Sequence, residues 1–197
     1  ASNTNERTLI SALLPRRVFA GHSLACSRPL RLLSDRTLAS PQSNVDLFVV
    51  DPAPNEMLFV CACLDSFTLD FVIRFKVSAN VGLFHVYGLP VPRYTKRNPH
   101  FDAIVPRVAR LVCTTPEFDD LAREVSMEPG TGATDPDERQ QLKNEIDALV
   151  ADMYGLDAAD LAHILYTPYT FPLVDKSIKD GVMAEFKRLL AIGLEAY

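Results

Sequence analysis

The chain has 197 residues, of which 48% are hydrophobic and 23% charged, with a net charge of −5. A chain of this length buries a full core without disulfide staples, and its composition excludes disorder and a cysteine-stapled scaffold. The longest unbroken apolar run, Met57 to Leu64, is far shorter than the roughly 20 residues of a membrane span and is followed by Asp65, Asp70, Arg74 and Lys76, which argues against a membrane role.

The first residues, Ala1 to Asn5, have neither the basic start nor the apolar stretch of a secretory signal and lack an initiator Met, so the chain reads as a piece cut from a longer protein. Arg7 to Leu14 is an apolar, β-like run ended by Pro15, and Val18 to Cys26 is a second, with Gly21 able to bulge it. Together they predict a hairpin turning at Pro15, Arg16 and Arg17. Leu30 to Asn44, rich in Ser, Arg and Pro, reads as a loop, and Val45 to Val50 as a third strand closed by Asp51, Pro52 and Pro54. Asn55 is the expected N-cap of a long helix to about Val77, with Glu56 favourable in its first turn. This helix carries too many apolar residues for one exposed stripe and reads as the central core helix.

Leu83 to Tyr87 is predicted as a strand stopped by Gly88, Pro90 and Pro92. His100 to Cys113 and Pro116 to Val125 read as helices, the second with Thr115 as N-cap and Pro116 at its first position. Glu128 to Thr134, with one Pro, two Gly and two Thr, is the best linker in the chain. Beyond it the pattern is helical: Asp135 and Pro136 open a helix to about Tyr154, Asp157 one through Leu165, and Asp175 a last one to about Ala196. Leu142, Ile146, Leu149, Val150 and Met153 recur at helical spacing and define its packing face. The expected fold is α+β, a small mixed or antiparallel sheet packed on a long core helix, followed by a mainly helical C-terminal part. The expected division is 1–127, a linker at 128–134, and 135–197.

Charge is segregated along the chain. Ala1 to Arg36 and Pro92 to Pro116 each carry +4, whereas Glu117 to Asp160 carries −10. Phosphates would be drawn to the first two segments and repelled by the third, although charge runs are also the ordinary dress of a solvated surface. Cys26, Cys61, Cys63 and Cys113 lie in apolar surroundings and read as reduced core residues of a cytoplasmic protein. On a helix Cys61 and Cys63 point about 200° apart, and no His or Cys pair has zinc-finger spacing, so no metal site is expected. The chain lacks a glycine-rich phosphate loop, an H-E-x-x-H and a G-x-S-x-G elbow, and His22 beside Ser23 on a strand would face away from it.

Two phrases, TNERTLISALLP at Thr4 to Pro15 and LDSFTLDFVIRFKVSANVGLFHVYGLPVPR at Leu64 to Arg93, resemble the C-terminal target-recognition region of adenine-specific DNA methyltransferases from type II restriction-modification systems and related phage defences. LVCTTPEFDDLAREV at Leu111 to Val125, ALVADMYGL at Ala148 to Leu156 and FPLVDKS at Phe171 to Ser177 are similar to later parts of the same region. The methyltransferase motif Asn-Pro-Pro-Tyr is absent, the one Asn-Pro being Asn98-Pro99 followed by His100 and Phe101, and so is a glycine-rich S-adenosylmethionine loop. The resemblance therefore implies a DNA-reading piece, the second half of a recognition domain plus C-terminal helices, which is not catalytic and holds no cofactor itself. S-adenosylmethionine, the methyltransferase and possible endonuclease would belong to the rest of the parent enzyme. Implied partners are double-stranded DNA and that remainder.

Arg reads guanine and Asn reads adenine bidentately, while Lys and Arg also hold phosphates. Candidate DNA contacts are Asn5, Arg7, Arg16, Arg17 and His22 in the expected hairpin and Arg74, Lys76 and Asn80 at the end of the core helix. Arg93, Lys96, Arg97 and Arg107 are phosphate candidates. For Arg74 the local alternative is an ion pair with Asp70 one turn earlier. Two other classes stay open: a protein-interaction module docking through its acidic helices, and a small enzyme whose pocket gathers titratable groups distant in sequence.

Overall fold

The computed structural model describes residues 5–15, 18, 26, 30–32, 48–50, 53–78, 80–94 and 97–197. Two three-residue strands, β1 (Leu30–Leu32) and β2 (Phe48–Val50), pair antiparallel with Leu30 opposite Val50. Neither makes extensive contact with a helix. The rest of the ordered architecture is helical: α1 (Pro54–Leu64), α2 (Phe67–Arg74), α3 (Leu83–Tyr87), α4 (Pro99–Val112), α5 (Asp119–Glu124), α6 (Pro136–Met153), α7 (Ala158–Tyr166) and α8 (Lys176–Ile192). The expectation of a sheet packed on a core helix is thus overturned. The body is helix on helix.

Each departure has a local cause. Arg7 to Leu14 forms no strand ladder, because its N–H groups bond to side-chain carboxylates on the helices: Leu9 and Thr8 donate to Asp70 at 2.7 and 3.2 Å, and Ser11 donates to Asp65 at 2.6 Å. The expected second strand, Val18 to Cys26, and the Pro15–Arg17 turn lie almost wholly outside the described residues. The expected long helix is two. Ser66 breaks it, its Oγ accepting from the Leu69 N–H at 3.2 Å as N-cap of α2 while donating to the Cys63 carbonyl. The first of these helices starts two residues earlier than expected: Ala53 is its N-cap and Pro54 its first residue, and Glu56 accepts from the Ala53 N–H at 2.8 Å, so Asn55 sits inside. Leu83 to Tyr87, read as a strand, is helical, with His85 Nδ1 accepting from the Gly82 N–H at 3.1 Å. Pro116 to Phe118 is a 3₁₀ turn leading into α5.

The later helices start where their caps place them. Asp135 accepts from the Asp137 and Glu138 N–H groups and Asp157 from those of Ala159 and Asp160, and Gly193 at φ 78° ends α8. Residues 146–151 of α6 are buried on every side, so α6, rather than the α1–α2 stretch, occupies the centre. One face joins Leu58, Phe59, Phe101, Ile104 and Leu149 in a core with α1 and α4; the other joins Phe67, Leu161, Phe171 and Phe186 in a core with α2, α7 and α8. At the contact of α6 with α8, Gly181 leaves room for the Asn144 side chain, since a Cβ there would lie 2.4 Å from Asn144 Nδ2 and the amide would have to move. The 128–134 stretch is held to α4: Ala133 is buried and its N–H donates to the Arg110 carbonyl at 2.8 Å. No described helix is long and apolar enough to cross a membrane.

Cys61, Cys63 and Cys113 are buried, as expected, but Cys26 is exposed. Burial pushes the Cys61 and Cys63 thiols up to about 12, and burial also raises Cys113. At pH 8, Ellman's reagent is therefore expected to titrate one thiol rapidly in the native protein and four after unfolding. Rapid reaction of two or more native thiols would contradict this packing.

Candidate nucleic-acid interface

The twelve candidate DNA contacts fall into three groups. Arg16, Arg17, His22 and Lys96 lie outside the described residues. Arg7, Arg74 and Arg107 are turned inward, whereas Asn5, Lys76, Asn80, Arg93 and Arg97 are exposed.

The inward arginines form two internal structures. Asp70, wholly buried on α2, accepts from two backbone N–H groups of the N-terminal segment and faces Arg7 Nε and Arg74 Nη2, each at 3.4 Å. Arg74 is in the helical pair with Asp70 that its spacing offers, and it donates to the Asn5 and Glu6 carbonyls at 3.1 and 3.0 Å. The Arg7 guanidinium lies 4.1 Å from the Phe67 ring centre and 5.9 Å from that of Phe171, and donates to the Asp65 carbonyl. This lock straps residues 5–11 across α1 and α2. Asn5 is therefore positioned through its backbone, with its side chain outside.

Arg107 bonds Glu145 at 2.7 Å, donates to the Ala103 and Tyr197 carbonyls, and lies 5.2 Å from the Tyr197 ring centre. Arg110 pairs with Glu138, and His100 bonds Asp152 at 2.8 Å. The basic α4 and acidic α6, separate in sequence, thus neutralise one another across their contact. These partners were beyond reach of sequence spacing, since 28 to 52 residues separate them.

A cavity of about 570 Å³ lies between the strap and helices α4 and α6, with Asp65, Asp147 and Cys61 in its wall. Asp147 accepts from the Phe67 N–H at 2.7 Å; burial lifts its carboxyl to about 6 despite the nearby Arg7. Burial also raises Asp65. A Cys61 thiol at about 12 is the opposite of an activated nucleophile. Among the described residues no group of His, Cys, Asp or Glu could hold a metal ion.

Apart from Asn5, the outward candidates lie on one segment. From Phe71 to Phe101 the chain contains no acidic residue, and within it Lys76, Asn80, Arg93 and Arg97 are exposed. Arg97 sits at φ 83°, a conformation L residues rarely use, with its N–H donating to Asp102 at 3.2 Å. Phe75, Phe84 and Tyr87 are exposed by 70%, 73% and 73%. Sequence reasoning found the cations and missed these aromatics: Phe75 was counted within the core helix, and Phe84 and Tyr87 within a predicted strand.

No family model, no curated protein and no solved structure matches this chain. Among the described residues, fold and surface define a helical domain with an N-terminal strap and an acid-free stretch, Phe71 to Phe101, that exposes cations and aromatics.

Proposed function

We propose that the chain is a DNA-recognition module of a restriction-modification or phage-defence adenine methyltransferase, working with the catalytic remainder of that enzyme. The observation that carries this reading is the acid-free segment from Phe71 to Phe101, exposed cations interleaved with exposed aromatics, on a protein whose net charge is −5. The lock adds support. The two phrases that carry the family resemblance, residues 4–15 and 64–93, are bonded to each other through Arg7, Ser11, Asp65 and Asp70, so their joint occurrence has a physical reason. Arg7 and Arg74 act as struts, so base reading falls to Asn5, Lys76 and Asn80 together with Arg16, Arg17 and His22, and phosphate contact to Arg93, Lys96 and Arg97.

Docking through acidic helices draws less support, because Glu138, Glu145, Asp147 and Asp152 already have partners within the chain. The test is binding to a mixed-sequence duplex across a salt series. Salt-dependent binding is expected, and the Arg93→Ala/Arg97→Ala variant should lower the log–log slope by about 2. Absence of salt-dependent binding, or an unchanged slope in that variant, would defeat the assignment.

A further inference from the structure

Resting on that reading, we propose that α3 is an aromatic wedge: Phe84 and Tyr87 stack on a base displaced from the DNA helix. An exposed ring on a floppy loop would say little, but Phe84 is held. Its centroid lies 3.9 Å from that of His85, with the rings inclined at 38°. It also covers Gly82 so closely that a Cβ there would come within 2.7 Å of Cε1. The Gly82 N–H in turn donates to His85 Nδ1 at 3.1 Å, fixing the imidazole on which Phe84 rests. On either side of this stretch Val77 and Leu89 are buried in the main core, so α3 stands on anchored ends.

The occupant is set by charge. The cations nearest in sequence, Lys76 and Arg93, are exposed, and no carboxylate interrupts the stretch between them. An acidic backbone carrying flat faces meets both requirements, and every base has such a face. Stacking a base on an aromatic side chain changes affinity by about tenfold or more. A base already unpaired spares the cost of unstacking, so the wedge should favour it.

The experiment compares a labelled perfect duplex with the same duplex carrying one unpaired adenine, by fluorescence anisotropy. The chain is expected to bind the bulged duplex about tenfold more tightly. Phe84→Ala/Tyr87→Ala should abolish that preference, and Gly82→Ala should weaken it by displacing the Phe84 ring. All three substituted positions are outside the core, and circular dichroism and the melting temperature check that each variant folds. Equal affinity for both duplexes, or a preference that survives the double variant, would overturn the wedge and leave α3 as a face for a protein partner. Failure to bind either duplex would instead sink the DNA reading on which the wedge rests.

Discussion

Asp70→Ala is expected to cost about 3–5 kcal/mol of folding stability at pH 7, in the range found when one partner of a buried ion pair is removed. The carboxylate is fully buried; it accepts from the Thr8 and Leu9 amides and from Arg74 Nη2, and it is ion-paired with Arg7. Deleting it leaves two amides without their acceptor and two guanidiniums without their counter-ion, in a site walled by Phe67 and Phe171. Asp70→Asn keeps one acceptor oxygen and removes the charge, so its loss should fall between wild type and Ala. Urea unfolding measures the cost. Hydrogen exchange at the Thr8 and Leu9 amides locates it, since release of the strap should expose them before the helices open. A loss below about 1 kcal/mol for Ala would mean that the strap is held by packing and that the charges in the lock cancel.

The second large effect is on pH dependence. A carboxyl raised from its ordinary 3.8 to about 6 in the folded protein, as burial raises Asp147, binds its proton more tightly folded than unfolded. That contribution to stability is complete below 3.8 and lost as pH climbs to about 6, and Asp65 is displaced in the same direction. Glu117, Asp180 and Glu185 are held low by hydrogen bonds, so their contributions are present at neutral pH and lost only under more acid conditions. Stability should therefore rise between pH 7 and 5 before falling in acid. The Asp147→Asn variant, which can still accept from the Phe67 N–H, should be more stable than wild type by about 1–3 kcal/mol at pH 7 and should lose most of the rise. Chemical denaturation at pH 7, 6 and 5 decides this. A wild-type midpoint that falls steadily from 7 to 5 would show Asp147 charged throughout.

What the sequence revealed, and what it hid, follows from the range of the forces involved. The helices α6 and α7 were legible because their start signals are local: an Asp side chain two or three residues from the amides it caps and, in α6, a Pro at the first position and a periodic apolar face. The segment from Arg7 to Leu14 read as a strand of a hairpin, and the sequence hid the partners its backbone finds instead. Alternation of residues says that backbone donors need acceptors, and it cannot say that carboxylates on a helix more than fifty residues away supply them. A continuous apolar pattern hid the break at Ser66, since both halves are buried. Leu83 to Tyr87 has the aromatic and β-branched content of a strand, and one histidine-to-glycine bond turns it. Among the candidate contacts, the Asp70–Arg74 spacing announced an internal role, whereas nothing near Arg107 announced Glu145 or Tyr197.

The lock also orders events during synthesis. Arg7 and Asp70 leave the ribosome early, but the second ring that faces both arginines belongs to Phe171, and the carboxylate that receives the Phe67 amide belongs to Asp147. Between translation of residue 70 and residue 171, on the order of 5–20 s, the amino-terminal strap has its acceptor and lacks its cover. Residues 5–11 are thus made long before the ring and the carboxylate that seal them.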